Sequence, residues 1–202
     1  MRLSVYTIIF WLVRIGLFFW HPVFRVKGRE NLPKDGSYVI CCNHSSCADP
    51  VWLIAAMRAR RHSRVPRIMA KAELLKVPVL GPLLKWVGVF GIERGEADIG
   101  ALKLALKTLK EGRSLMLFPQ GTRCKNGERL PGKTGAAMLA TRTDTMVIPM
   151  YLTENKRPFG PITCVIGEPY RMEYEGKRAT SAELRELTDD LMDRIYKLGE
   201  QA

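Results

Sequence analysis

Nowhere in the chain are two cysteines spaced as C-x-x-C, although five are present, Cys41, Cys42, Cys47, Cys124 and Cys164. An odd number without paired spacing excludes a disulfide framework and offers no structural zinc site, so a reducing compartment is expected. Histidine is scarce too, with three in 202 residues. Cys42, His44 and Cys47 are close enough in sequence to be read as metal ligands, but so few histidines leave no metal expected. The chain lacks a G-x-S-x-G turn, which removes the activated serine of a serine hydrolase; Ser45 and Ser46 merely adjoin His44. Internal repeats, low-complexity tracts and linkers are absent as well. A chain of 202 residues then makes one domain with a sizeable core.

Acidic residues are also few. Asp and Glu total 20 against 32 Lys and Arg, a formal net charge of +12, and residues 1–76 carry 13 basic and 4 acidic side chains. Most of the positive field is therefore N-terminal. Such a field suits nucleic acid, an anionic membrane face, an acidic carrier protein or a phosphorylated substrate. No nucleic-acid motif is present, and the basic stretch MRARRHSRVPR lacks the interleaved aromatics of a base-stacking surface. Nucleic acid is not an expected partner.

One long apolar run exists, LSVYTIIFWLVRIGLFFW at residues 3–20. Ser4, Thr7 and Arg14 fall on one narrow stripe at the helical period, which makes the helix lopsided. Eighteen residues reach about 27 Å, just short of the roughly 30 Å hydrocarbon core. Arg14 disfavours a central membrane position but can snorkel from an interfacial helix, with Trp11 and Trp20 as belt anchors. A cleaved signal peptide is disfavoured, since no small-residue cleavage site follows. Residues 1–22 are expected to be a membrane-associating helix that lies on the bilayer.

Beyond residue 22, short apolar runs alternate with helical segments. SYVICC, RIMA, GVFGI, SLMLF, MVIPMYL and ITCVIG have strand length and are bounded by Gly, Pro or charge. Ile99, Leu102, Leu106 and Leu109 form an apolar stripe opposite Lys103, Lys107 and Lys110, with Asp98 as N-cap and Gly112 as stop. Thr180 and Glu183 have capping-box spacing ahead of Leu184, Leu187, Leu191, Ile195 and Leu198. The alternation predicts an α/β fold, a single domain over residues 23–202 with a mixed, largely parallel sheet covered by helices.

Within that frame SYVICC is a strand, NHSS its exit loop, and Asp49-Pro50 the start of the helix VWLIAAMRARR, with Asp49 as N-cap and Pro50 at the first helical position. His44 then lies at the carboxyl end of a strand, where open α/β sheets form their crevices. An imidazole there can take a proton from an attacking hydroxyl, and a carboxylate on its other nitrogen fixes the tautomer. Asp49 is equally explained as an ordinary cap. GIERG at residues 91–95 and LFPQGTR at residues 117–123 each place an arginine beside a glycine after an apolar run. That arrangement suits a phosphate held by guanidinium and backbone N–H groups. An anionic substrate follows.

Taken in order, N-H-x4-D at His44 and Asp49, the arginine-glycine strand end at Arg94, F-P-x-G-T-R at Phe118 to Arg123, and the proline-containing strand at Pro149 resemble the glycerolipid acyltransferases. The likeness is to those that act on 1-acylglycerol 3-phosphate and runs from about residue 25 onward. It implies transfer of a fatty acyl chain from a thioester, on acyl carrier protein or coenzyme A, to the hydroxyl of lysophosphatidic acid, giving phosphatidic acid. By motif position His44 is the general base and Asp49 its orienting partner, while Arg94, Gln120, Gly121, Thr122 and Arg123 lie in the acceptor's binding site. No bound cofactor or metal is implied. A lipid acceptor and product fit a protein on the cytoplasmic face of a membrane. One position departs from the pattern, Gln120, where the family usually carries glutamate. Its amide oxygen is expected to accept from a neighbouring arginine or backbone N–H. Two alternatives stay open: acylation of another lysolipid or of glycerol 3-phosphate, and a catalytically weakened membrane-binding scaffold.

Overall fold

The computed structural model describes residues 21–58, 65–78, 89–92, 99–124 and 127–202, together with residues 15, 16, 19, 81 and 84. Seven strands form one sheet: β1 (Phe24–Lys27), β2 (Tyr38–Cys42), β3 (Arg67–Lys71), β4 (Phe90–Ile92), β5 (Leu115–Leu117), β6 (Met146–Leu152) and β7 (Ile162–Ile166). Their spatial order is β1-β7-β6-β2-β5-β3-β4. Every neighbouring pair is parallel except β6 with β7. The six strands expected from apolar runs all form. β1 was not anticipated, because FRVK is only four residues long and has no continuous apolar run, its half-buried Phe24 and Val26 alternating with exposed Arg25 and Lys27.

The central strand β2 is buried at all five residues, as a strand covered on both faces must be. Its alternate side chains go to opposite layers. Tyr38, Ile40 and Cys42 pack with α1 (Asp49–Arg58) through Trp52, Leu53 and Met57. Val39 and Cys41 pack instead with α2 (Ile99–Lys110), α3 (Gly135–Thr143) and α4 (Ser181–Gly199) through Ala105, Ala137, Leu139 and Ile195. The described residues form a three-layer α/β sandwich, with α1 on one face of the sheet and α2, α3 and α4 on the other. Fully burying a side chain such as Leu53 or Ile195 is worth about 1.5–3 kcal/mol.

Local chemistry sets the helix ends. Thr180 Oγ1 accepts from the Glu183 N–H while the Glu183 carboxylate accepts from the Thr180 N–H, so the expected capping box closes α4. α2 stops at a glycine in the left-handed region, Gly112 at φ 74°. The buried face of α2, however, is Ala101, Ala105, Thr108 and Leu109, with Ile99 63% exposed. The seam is rotated from the expected leucine stripe because small residues let α2 sit close to the sheet. α3 was not foreseen: its sequence GAAMLATRT carries no strong apolar stripe, yet it buries four residues. Pro149 sits inside β6 without breaking it. Its carbonyl accepts from Gly167 N–H just past the end of β7, so its missing donor falls where the ladder has already ended.

The expected N-terminal helix over residues 1–22 falls largely outside the described residues. Ile15, Gly16 and Phe19 are helical, and Ile15 and Phe19 are exposed. Among the described residues no helix is long and apolar enough to cross a membrane.

Candidate active site

β6, β2 and β5 are adjacent and parallel, so their exit loops lie side by side at one edge of the sheet. Asn43, the first residue past β2, is buried and continues the ladder with its side chain. Its amide accepts from Leu152 N–H at 2.8 Å and donates to the Leu152 carbonyl at 2.9 Å. A side-chain amide thus stands in for a peptide group and fixes the point at which His44 leaves the sheet. On the other side, Cys124 N–H donates to the His44 carbonyl at 2.8 Å. The Phe118 ring stacks on the imidazole with centroids 3.9 Å apart. The orientation of His44 is fixed from both neighbouring strands.

His44 Nδ1 lies 2.9 Å from Asp49 Oδ2. The same oxygen accepts the N–H groups of Ser45 and Ser46, both at 2.8 Å. Asp49 does open α1, but it is not the cap the sequence suggested. Its carboxylate takes the N–H groups of the loop that precedes it, since turning backward lets one oxygen meet the imidazole and two peptide donors together. The other oxygen is 2.8 Å from Lys156 Nζ, which also donates to Ser45 Oγ at 2.8 Å. Burial pushes the Asp49 carboxyl upward, but the hydrogen bond from His44, the Lys156 ammonium and the Ser46 N–H hold it below the ordinary carboxylate value. An ionised carboxylate at Nδ1 keeps the proton there and leaves Nε2 as the basic nitrogen. The imidazole is reachable, its side chain 17% exposed while that of Asp49 is 1% exposed.

The β5 exit loop supplies cations. Gly121 holds φ 68° and closes the turn by donating its N–H to the Phe118 carbonyl at 2.9 Å. The left-handed dihedral is what favours glycine here, and Lys133 lies over the position, with its Cε 3.2 Å from where a Cβ would sit. Thr122 is half-buried and Arg123 exposed. Arg123 Nη1 donates to Cys47 Sγ at 2.9 Å, which draws this loop against the one that carries His44. Gln120 turns the other way: it is 3% exposed and its amide nitrogen donates to Tyr196 Oη on α4 at 3.1 Å. Its oxygen has no hydrogen-bond partner. The expected bond from an arginine or backbone N–H to that oxygen is therefore not made, because the tight turn at Gly121 sends residue 120 inward. Arg94 lies outside the described residues.

The structure thus brings His44, Asp49, Gly121, Thr122 and Arg123 to one edge and sets Gln120 behind them. Sequence reasoning missed Asn43, Lys133 and Lys156. Asn43 was visible as the first letter of N-H-x4-D, and Lys133 as a cation between Gly132 and Thr134-Gly135. Lys156, in TENKRP, looked like an ordinary surface lysine.

With this geometry in place, likeness to known proteins becomes informative. The profile of the Acyltransferase family matches residues 23–153. The chain is 31% identical over 180 residues to the 1-acyl-sn-glycerol-3-phosphate acyltransferase of Bacillus subtilis (strain 168), covering 86% of this chain and 87% of that one. The chain belongs to the acyltransferase family. A second relative, the 1-acyl-sn-glycerol-3-phosphate acyltransferase of Borreliella burgdorferi, is 33% identical over 134 residues, 64% of this chain and 52% of its own length. Among solved structures, the 1-acyl-sn-glycerophosphate (LPA) acyltransferase from Thermotoga maritima superposes with a TM-score of 0.68 at 26% identity, over 93% of this chain and 75% of that one. The family profile spans β1 through β6, so it contains the β2 and β5 exit loops and ends where the β6 exit loop begins. This acyltransferase is of the 1-acylglycerol-3-phosphate type.

Proposed function

We propose that this acyltransferase moves a fatty acyl chain from a thioester, on acyl carrier protein or coenzyme A, to the free hydroxyl of lysophosphatidic acid. The observation that carries the reading is the His44–Asp49 pair, joined through Nδ1, beside a loop bearing the exposed cation Arg123. His44 Nε2 takes the hydroxyl proton as the oxygen attacks the thioester carbonyl. The tetrahedral intermediate collapses, the C–S bond breaks, and the imidazolium returns the proton to the leaving thiolate. Phosphatidic acid and a free thiol result. Asp49 holds the tautomer and stabilises the imidazolium. Arg123, Thr122 and the backbone at Gly121 meet the acceptor phosphate with Arg94, and Lys133 adds a cation over Gly121. Gln120 braces their loop against α4 rather than touching the acceptor.

Residues 1–22 act as an interfacial anchor on the cytoplasmic membrane face and residues 23–202 as the acyltransferase domain. Exposed Ile15 and Phe19 support the anchor. Removing residues 1–20 should release the protein from anionic vesicles more completely than salt does, since apolar burial is not screened. Stripping of the intact protein by salt alone would overturn the anchor. The reaction is tested by product mass after incubation with lysophosphatidic acid, other lysolipids or glycerol 3-phosphate and each acyl donor. Phosphatidic acid should dominate; its absence with both donors would remove the reading.

A further inference from the structure

A lysine with almost no solvent exposure touches the dyad from a loop that the chemistry above does not use. Lys156 follows β6 by four residues, and its ammonium lies 2.8 Å from Asp49 Oδ1 and 2.8 Å from Ser45 Oγ. Its side chain is 7% exposed and the carboxylate 1%. We propose that Lys156 is a positioning residue for the dyad, holding the free oxygen of Asp49 and offsetting its charge so that His44 stays available as a base. The proposal rests on the reading of His44 as general base.

Two functions follow from one contact. Oδ2 is occupied by His44 Nδ1 and two backbone N–H groups, so the ammonium ion-paired with Oδ1 holds the carboxylate's second oxygen and opposes a rotation that would release the imidazole. The second function is electrostatic. A carboxylate alone stabilises a neighbouring imidazolium and so favours protonated histidine; an ammonium on the far side of the same carboxylate opposes this. A protonated His44 cannot accept the hydroxyl proton, so a lone Asp49 would confine activity to higher pH. Among the described residues, the charged groups linked to the dyad and its loop are Asp49 from α1, Lys156 from the β6–β7 loop, Glu154 in the same loop through Asn43, and Arg123 held at Cys47; the stacked Phe118 is neutral. Lys156 is the cation joined directly to the carboxylate. Its location explains why a lysine is tolerated there: the loop doubles back, with Lys156 N–H on the Glu154 carbonyl at 3.0 Å, and delivers the stem inward.

The test is a histidine NMR titration alongside the pH dependence of kcat/KM in full-length protein. His21, His44 and His62 are the only imidazoles, so His44 is assigned by its loss in His44→Ala. Lys156→Gln keeps hydrogen bonding without charge and should raise the dyad's proton-uptake pKa by about one unit. The acidic limb of kcat/KM should move with it, giving about tenfold lower activity on that limb and less than about threefold change on the plateau. Lys156→Arg should restore the wild-type titration to within about 0.3 unit. Lys156→Met, which keeps the apolar stem, serves as a second charge-removing variant. A folded Lys156→Gln or Lys156→Met protein with an unmoved His44 titration overturns the role of Lys156 and leaves the general base standing. Near-normal turnover in His44→Ala overturns the general base itself, whatever the titrations show.

Discussion

The loop after β2 and the loop after β5 are built of opposite materials, and the proposed reaction divides its work between them. Residues 43–49 are bound from all sides: Asn43 to β6, Asp49 to three donors and a lysine, His44 to a stacked ring. Residues 118–124 leave Gly121 and Arg123 exposed, with Lys133 lying over the turn. Proton transfer needs one geometry held to tenths of an ångström, and only buried, mutually satisfied groups hold that. Phosphate binding works through charge over several ångströms and tolerates solvent. Substitutions of the buried residues of the first loop, Asn43 and Asp49, should therefore damage folding and catalysis together, and those in the second should weaken binding alone.

The sharpest break of that contrast is Asp49→Asn, which leaves the buried Lys156 without its counter-charge. A cost of about 3 kcal/mol at pH 7 is expected, read as a fall in Tm of about 10 °C. The sign with pH is fixed. Because the native Asp49 carboxyl titrates below its ordinary value, its stabilisation is whole above about pH 3.9 and is lost as the pH falls through the lower native value. The wild-type and variant melting curves should converge in acid, and a gap that never narrows below pH 4 would count against ionic stabilisation.

His44→Ala comes next, with turnover down by about 10²-fold or more and Tm little altered, since the ring is partly exposed and nothing buried loses its only partner. Circular dichroism and steady-state rates decide this together. A much lower Tm would show that the imidazole is part of the scaffold as well.

Arg123→Ala should raise KM for lysophosphatidic acid by about tenfold with a smaller change in kcat, and added salt should shrink the difference. An equal fall in kcat with KM unchanged would put Arg123 in the transition state and blur the division between the loops.

The smallest effect is expected from Gln120→Glu. Residue 120 faces Tyr196 rather than solvent, and the tyrosine hydroxyl can donate to a carboxylate in the same place. A change in kcat/KM of less than about tenfold is expected from acceptor kinetics. A hundredfold gain would mean that the natural glutamine disables the enzyme, and a scaffold role would take precedence.

Much of this was legible in the sequence for a simple reason: strand runs and the α4 capping box are local patterns, and local patterns survive without the rest of the fold. MVIPMYL reads as a strand because its apolar residues stand together, and Thr180 and Glu183 are three residues apart on any helix. Arg123 and Gly121 were equally visible, since charge and glycine announce themselves. The reading weakened where a residue's role depends on its neighbour in space. Asp49 looked like a cap because Asp-Pro commonly opens helices, and only the return of β6 beside β2 put Lys156 on its far oxygen.

What the sequence determined by itself was the layered α/β class, the order of its motifs and the excess of positive charge, all properties of neighbours along the chain. What the tertiary structure decided was which way Asp49 and Gln120 face and which lysine is buried. Lys156 stands 111 residues beyond Ser45, and no periodicity or spacing links such a pair. The parallel pairing of β2 with β6 sets their loops together at the same sheet edge, and burial then turns an ordinary surface-type residue into the counter-charge of the dyad.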